Sequence, residues 1–215
     1  MLYGLERVVK IKVKKLILAS NNKGKIDEIK KLLSNMKVEV FSLKEIGIDI
    51  DVVEDGETFE ENAKKKCSEI YKELIRRKEK NFIVMADDSG LEVEFLNNEP
   101  GVYSARYAGE HGNDKKNNEK LILNLKDVPY KERKAKFICQ LALINENNEY
   151  RGVTASVEGY ILEEEKGRDG FGYDPLFYYE PLGKTFSEMT MEEKNKISHR
   201  GIALEKMKKT IEELL

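Results

Sequence analysis

Two adjacent carboxylates, Asp87 and Asp88, follow an apolar run within Phe82–Gly90 (FIVMADDSG). The run predicts a buried strand that delivers the two acids and a Ser-Gly turn into the loop beyond it. Because ligands of open α/β sheets bind outside the carboxyl ends of the strands, acids at this place are candidates for chemistry. Successive side chains of an extended segment point to opposite sides, so one carboxylate can face a ligand while the other braces the loop. An isolated DDSG is equally typical of a plain polar turn, so the other segments must decide.

A polar segment with two lysines follows the first predicted strand, Leu16–Ala19, and precedes a predicted helix. Its residues are Ser20, Asn21, Asn22, Lys23, Gly24 and Lys25. Backbone N–H groups at a helix start attract phosphate, and the lysines add positive charge. The GxxxxGK[ST] pattern does not occur in the chain, which disfavours a P-loop NTPase. Without other segments, this one is also typical of an ordinary polar turn.

An acidic segment, 54–57 (EDGE), stands just before a long predicted helix that opens with the capping-box spacing of Thr58 and Glu61. Acids in this position suit the helix dipole without any catalytic role. If the segment lies near Asp88, two or three carboxylates converge, and one or two carboxylates plus phosphate oxygens are the usual ligands of Mg²⁺. Either Glu54 or Glu57 is a candidate for the second acid.

Two further segments toward the C-terminus carry polar and aromatic groups. Gly167–Pro175 (GRDGFGYDP) combines glycines, which permit close backbone approach to a flat ligand, with Phe171 or Tyr173 as a π face for a base. The alternative is a tight turn whose aromatic side chains fill the core. Lys194–Arg200 (KNKISHR), placed in a closing helix, offers charge from its lysines and hydrogen-bond donors from its last three residues. A solvated amphipathic helix explains the lysines equally well.

The elements that must position these segments follow a simple order: strand, helix, strand, helix, strand, a long antiparallel hairpin, and a closing helix. The order predicts an α/β fold with a mixed central sheet flanked by helices. Predicted strands are Leu16–Ala19, a second through Val38 and Val40, Phe82–Ala86, an alternating stretch from Leu91 to Phe95, Ala135–Leu143 and Gly152–Leu162. A short helix is expected around Leu121–Leu125, and the closing helix is expected to begin after Thr190.

Composition limits the classes of protein that fit. A chain of 215 residues with 40% hydrophobic and 36% charged residues suits one globular domain. A formal net charge of −2 gives no general reason to expect a nucleic-acid or membrane partner. Two scattered cysteines, Cys67 and Cys139, are typical of free core thiols in a reducing cytosol, and no secretory signal is recognisable. We therefore expect a cytoplasmic protein.

Two other kinds of catalytic site are disfavoured. The two histidines, His111 and His199, and the two cysteines are too scattered to suggest a zinc site. A triad of Ser89, His199 and an aspartate is conceivable, but ADDSG is not the GxSxG nucleophile elbow. We interpret His199, next to Arg200, as a neutral hydrogen-bonding group.

Together the segments resemble the inosine triphosphate pyrophosphatase family of noncanonical purine nucleoside triphosphate pyrophosphatases. The matching stretches are ASNNKGK, VVEDGETFEENA, MADDSGLEV, PGVYSARYAG, GFGYDP and EEKNKISHRG, which occur in this order from Leu16 to about Leu215. The resemblance implies Mg²⁺-dependent hydrolysis of ITP, dITP and XTP to the monophosphate and pyrophosphate. Mn²⁺ is a possible substitute because it accepts similar oxygen ligands. It also implies a homodimer and an elongated two-lobed fold with a deep cleft, formed by residues 16–215, while residues 1–15 form an N-terminal extension.

The resemblance also implies roles for individual residues. Asp88 matches the water-activating position, and Glu54 and Asp88 match the metal positions. The positions that match nucleotide binding are Ser20, Asn21, Asn22, Lys23, Gly24, Lys25, Ser89, Phe171, Gly172, Tyr173, Asp174, Lys194, His199 and Arg200. A donor from Ser198–Arg200 would favour the 6-keto oxygen of hypoxanthine or xanthine over the amine of adenine.

Two alternatives stay open. A pyrophosphatase of modified nucleotides, as in the Maf family, is disfavoured by the GFGYDP and SHRG segments. A non-catalytic nucleotide sensor is disfavoured because a pure binder has no need of both Glu54 and Asp88 beside Lys25 and Lys194.

Overall fold

One seven-stranded mixed sheet forms the centre of the computed structural model, which describes residues 14–214. Its strands are β1 (Lys14–Leu18), β2 (Val38–Ser42), β3 (Phe82–Val93), β4 (Lys134–Asn145), β5 (Tyr150–Ile161), β6 (Phe177–Tyr179) and β7 (Lys184–Thr185). They lie in the order β2-β1-β3-β4-β5-β6-β7. β2, β1 and β3 pair in parallel, and every later pair is antiparallel. The predicted α/β fold with a mixed sheet is confirmed, whereas the two-lobed shape stays a prediction.

Helices cover both faces of this sheet. They are α1 (Lys23–Leu32), α2 (Phe59–Arg76), α3 (Asp114–Asn124), α4 (Met191–Ile197) and α5 (His199–Glu213). Alternation along β1 separates two cores: Leu16 and Leu18 pack in a cluster with α1 and α5, whereas Ile17 packs in a cluster with α2. None of the helices within residues 14–214 combines the length and the apolar character that a bilayer-spanning helix needs.

A third apolar cluster lies toward the other end of the long strands. It joins Leu91 of β3, Phe137 of β4 and Val157 of β5 to Leu121 of α3. The strands β6 and β7 sit at this edge of the sheet. They are only three and two residues long, which is too short to give the alternating pattern by which the sequence marks a strand.

The placement of Asp87–Gly90 in a loop beyond a strand is wrong. β3 runs without interruption through these residues, because β4 pairs with it from Ile83 to Val93 and takes up its backbone hydrogen bonds. Cross-strand pairing thus overrides the local turn preference of DDSG. The two aspartates still lie just past the carboxyl end of β1, since the β1–β3 pairing ends at Leu18 and Met85.

Two other boundaries differ from the sequence predictions. The closing helix is divided into α4 and α5 at Ser198, whose extended backbone ends one helix while its hydroxyl accepts from the N–H of Gly201 to begin the next. The polar segment after β1 is a loop only as far as Asn22, which caps α1 by accepting from the N–H of Lys25. β1 begins at Lys14, and residues 1–13 of the proposed extension lie outside the described residues.

Candidate functional site

A cleft of about 790 Å³ opens beyond the carboxyl end of β1. Of the predicted site residues, it is lined by Ser20, Asn21, Asn22, Lys25, Glu54, Asp87, Asp88, Ser89, Phe171, Gly172, Tyr173, Asp174, Lys194, His199 and Arg200. Lys23 and Gly24 do not line it: Lys23 is exposed on α1, and Gly24 lies behind the ring of Phe171. Five stretches that are far apart in the chain therefore meet in one cavity.

Asp88 shares a buried lysine with Glu54. The ammonium nitrogen of Lys66 lies 2.8 Å from Asp88 Oδ1 and 3.1 Å from Glu54 Oε1, and it donates to the backbone carbonyl of Asp87 at 2.9 Å. Sequence reasoning missed Lys66. The available signal was its spacing on α2, where it falls on the apolar face of Ala63 and Ile70 and is buried with them.

Burial also sets the protonation behaviour of the two acids. It raises the pKa of Asp88 above the ordinary value, although Lys66 acts in the opposite direction. Burial likewise disfavours the charge on Glu54, but there Lys66 prevails and the pKa is lowered. Asp88 Oδ2 is buried and has no hydrogen-bond partner among the described residues. Glu57 is exposed and does not line the cleft, so the geometry favours Glu54 as the second acid.

These two carboxylates fit a magnesium ion that is completed by its substrate. Within residues 14–214 no group of three or more His, Cys, Asp or Glu side chains is placed to enclose a metal. A site with one or two carboxylates is nevertheless the usual arrangement for Mg²⁺, which takes its remaining ligands from phosphate oxygens and water. Asp88 Oδ2, which has no hydrogen-bond partner among residues 14–214, is an oxygen that fits such an ion.

Asp87 points to the opposite face of β3, as the alternation of a strand predicts. Its carboxylate accepts from Arg200 Nε at 2.8 Å and pairs with Lys25 Nζ at 2.7 Å. Ser89 Oγ also donates to it, at 2.7 Å. Although burial opposes the charge, Arg200 and Lys25 lower the pKa of Asp87 well below the ordinary value. Asp87 is therefore an anchor for two cations of the cleft.

Glu28 is a buried acid that sequence reasoning missed, and it lies on the same side of the cleft as Asp87. It lies on α1 next to the core residue Ile29 and contacts both Lys194 and Arg200. Lys194 also contacts Asp174 Oδ2 at 2.7 Å. The signal for Glu28 was weak, since one acid beside an apolar helical residue is common on half-buried helices. Arg200, with both Asp87 and Glu28 as partners, is 2% exposed.

The glycine-rich loop places Phe171 at the cleft and Tyr173 in the core. The N–H of Phe171 donates to Asp174 at 2.9 Å, and the ammonium group of Lys194 lies 4.9 Å from the Phe171 ring centre. Tyr173 is buried, and its hydroxyl donates to the carbonyl of Ser104 at 2.9 Å. Phe171 thus lines the cleft beside Lys194, while Tyr173 mainly fixes the loop.

His199 is stacked inside an aromatic cluster at the inner end of the cleft. Its ring lies 4.7 Å from that of Phe137, with an interplanar angle of 11°, and 6.5 Å from that of Phe186. Burial lowers the pKa of His199 well below the ordinary value, and Arg200 and Lys194 lower it further. The neutral ring that the sequence suggested is therefore supported. Its Nδ1 has no hydrogen-bond partner among the described residues.

Comparison with known proteins gives a consistent set of matches. The model of the Ham1 family matches residues 16–210. A dITP/XTP pyrophosphatase of Clostridium perfringens is 57% identical over 203 residues, which cover 94% of this chain and 100% of that protein. The Ham1 protein of Staphylococcus aureus has a structure that aligns with a TM-score of 0.80 at 40% identity, over 94% of this chain and 100% of the other. A HAM1 protein of Coxiella burnetii aligns with a TM-score of 0.78 at 36% identity, over the same shares.

Proposed function

The chain belongs to the Ham1 family, and from this premise we propose that it hydrolyses the noncanonical purine nucleotides ITP, dITP and XTP to the monophosphate and pyrophosphate. One observation carries the proposal: two carboxylates, Glu54 and Asp88, meet at Lys66 on one wall of a cleft whose other walls carry cations and an aromatic ring. Acid, cation and aromatic groups in one cavity are the set that a metal-bound nucleotide requires.

Glu54 and Asp88 are the proposed ligands of Mg²⁺, and Mn²⁺ accepts the same oxygen ligands. The bound ion would neutralise charge on the phosphate oxygens. Lys66 contributes to the same wall because its ammonium group binds one oxygen of each acid.

Asp88 is the proposed group that orients the attacking water and takes its proton. In the metal-free cleft, burial raises the pKa of Asp88, which is the direction that makes a carboxylate a better proton acceptor. The attack is proposed to occur at the α-phosphorus, which makes pyrophosphate the leaving group.

The triphosphate is proposed to lie between the segment Ser20–Lys25 and the buried lysine Lys194. Ser20, Asn21, Asn22 and Lys25 line the cleft next to the N-terminus of α1, where backbone N–H groups favour an anion. Lys25 and Lys194 are held by Asp87 and by Glu28 with Asp174, so their positions are fixed before the substrate binds. Electrostatic stabilisation is most effective when charges need no reorganisation.

The base is proposed to stack on Phe171 and to be read by His199. Arg200 is engaged by Asp87 and Glu28, whereas His199 lines the cleft with an Nδ1 that has no hydrogen-bond partner among residues 14–214. A neutral His199 that carries its proton on Nδ1 would donate to a 6-keto oxygen, whereas the amine of adenine would face it with a second donor.

A substrate panel tests the proposal. The purified protein is incubated with ITP, XTP, ATP and GTP, with and without Mg²⁺, and pyrophosphate and orthophosphate are measured separately. We expect metal-dependent pyrophosphate from ITP and XTP and little from ATP and GTP. Product from methylated or modified nucleotides alone would favour the Maf-like alternative. Tight ITP binding without any product would favour a sensor.

A homodimer and a cytoplasmic location complete the proposal. Both come from the family resemblance and from the composition of the chain. Light scattering on the purified protein checks the first, with an expected mass twice that of one chain. A concentration-independent mass of one chain would refute it.

A further inference from the structure

The short 3₁₀ helix Gly101–Arg106 lies beside residues 51–57, which have no regular secondary structure. This stretch contains the acidic segment 54–57 and is called the acidic loop below. Arg106 reaches across to this loop. Its Nη2 donates to the backbone carbonyl of Glu54 at 2.9 Å, and its Nη1 lies 3.9 Å from Glu54 Oε2. The guanidinium group therefore contacts both the backbone and the carboxylate of the same residue.

Arg106 lies in a 3₁₀ helix that a hydrogen bond connects to β3. Ser104 Oγ accepts from the N–H of Leu91 in β3 at 2.9 Å and donates to the carbonyl of Gly101 at 2.6 Å. The guanidinium carbon of Arg106 lies 5.1 Å from the ring centre of Tyr103, which supports it from the side. Since Asp88 belongs to β3, these contacts connect the strand of one acid to the loop of the other.

The acidic loop has a second attachment, at its other end. The N–H of Gly56 donates to Oδ1 of the buried Asn62 in α2 at 2.8 Å. The ion pair of Lys65 with Asp55 at 2.6 Å and the hydrogen bond from the N–H of Glu57 to Glu61 hold the same end, whereas the backbone carbonyl of Glu54 is bound by Arg106. An irregular loop without such contacts would lose the fixed geometry that a two-carboxylate site needs.

We propose that Arg106 is a positioning residue that fixes Glu54 relative to Asp88 and thereby sets the affinity of the cleft for a divalent cation. The proposal rests on the proposed function, because the cation and the role of Glu54 belong to it. Arg106 touches neither acid of the Lys66 pair through a short ion pair. It acts on Glu54 through the backbone carbonyl.

A positioning role and a purely electrostatic role for Arg106 predict opposite changes in cation affinity when its side chain is removed. If Arg106 acted only as a positive charge near Glu54, its removal would make the cleft more negative and the cation would bind more tightly. If Arg106 positions Glu54, its removal loosens the backbone at that residue and the cation binds more weakly. Loss of a group that orients a metal ligand typically weakens metal binding by about 10- to 100-fold.

The experiment determines the affinity for Mn²⁺ by measuring the concentration of free Mn²⁺ with electron paramagnetic resonance. The samples contain an ITP analogue with an imido bridge between the α- and β-phosphorus. Wild type, Arg106→Gln, Arg106→Lys and the surface control Arg76→Gln are compared, after circular dichroism confirms that each variant is folded. Arg76 pairs with Glu73 at the end of α2, and its side chain is 73% exposed. Because the analogue is not hydrolysed, the readout does not depend on turnover.

We expect Arg106→Gln to bind Mn²⁺ about tenfold or more weakly, Arg106→Lys to recover part of this loss, and Arg76→Gln to match wild type. In steady-state assays, the Mg²⁺ concentration for half-maximal rate should rise, while the KM for ITP at saturating Mg²⁺ stays unchanged. Equal or tighter Mn²⁺ binding by Arg106→Gln overturns the proposal. If that variant does not fold, equal or tighter binding by Arg106→Lys does the same.

Failure of the proposed function gives a different pattern. In that case wild-type protein itself releases no pyrophosphate from ITP or XTP at any metal concentration. Failure of the positioning role leaves an active wild type and an Arg106→Gln variant with an unchanged or lower metal requirement.

Discussion

The two adjacent aspartates of β3 should respond in opposite ways to the same substitution. Asp87→Asn removes the charge that holds Arg200 and Lys25, whereas Asp88→Asn removes a charge that burial disfavours. We expect the first variant to lose stability and the second to keep its stability while losing turnover.

The cost for Asp87→Asn follows from the burial of its partner. Removing one member of a buried ion pair typically costs about 3–5 kcal/mol of unfolding free energy. Arg200 is 2% exposed but keeps Glu28 as a second partner, so we expect the lower end, about 3 kcal/mol. For a chain of this size that lowers Tm by about 6–12 °C.

The cost for Asp88→Asn is smaller because Lys66 retains Glu54 and the carbonyl of Asp87 as partners. An amide oxygen can replace the carboxylate oxygen that faces Lys66, so we expect a change within about 1 kcal/mol. Loss of a general base should lower kcat by about 10²- to 10⁴-fold.

The pH dependence of stability separates the two acids further. The pKa of Asp87 is lowered on folding, so its contribution to stability is present above the unfolded value of about 3.9 and is lost as pH falls through the folded value. The pKa of Asp88 is raised, so its ionisation costs stability as pH rises through the folded value. Thermal melts of wild type and both variants between acidic and neutral pH measure stability, and kcat at saturating Mg²⁺ measures turnover. An Asp87→Asn variant as stable as wild type, beside a strongly destabilised Asp88→Asn, would refute this reasoning.

Three further predictions concern the nucleotide. In Gly24→Ala the new Cβ would lie 2.5 Å from the ring of Phe171, so the ring must move. The KM for ITP should then rise with little change in kcat, and an unchanged KM would contradict the proposed stacking. In His199→Ala the ratio of kcat/KM for ITP to that for ATP should fall by about tenfold or more, and an unchanged ratio would remove His199 from base selection. The acid limb of the kcat/KM profile, which reports the free enzyme, should be absent from the residual activity of Asp88→Asn, and an unchanged acid limb would argue against Asp88 as the base.

The sequence was sufficient to predict the class of the fold and most of the cleft. Alternation of apolar and polar residues marked the hairpin of β4 and β5. The order of the motifs assigned Asp88, Lys25 and Lys194 to one site, and all three line the cleft. Local preference alone could not show that Asp87–Gly90 continue a strand, because that outcome depends on pairing with β4, fifty residues further along the chain.

Buried charges were the least predictable part of the site. Lys66 and Glu28 carry side chains that normally face solvent, and a single such residue on an amphipathic helix is usually exposed. Their burial becomes understandable only when their partners are known, since each is neutralised by residues at least twelve positions away in the chain. The break at Ser198 has a similar origin: its N-cap hydrogen bond to Gly201 starts a new helix within a sequence that reads as one.

Hydrolysis of ITP in ¹⁸O-labelled water tests the central claim, water attack at the α-phosphorus, most directly. Mass spectrometry of the products locates the label after a single turnover. We expect ¹⁸O in inosine monophosphate and unlabelled pyrophosphate. Label in pyrophosphate would place the attack at the β-phosphorus and contradict the proposed role of Asp88.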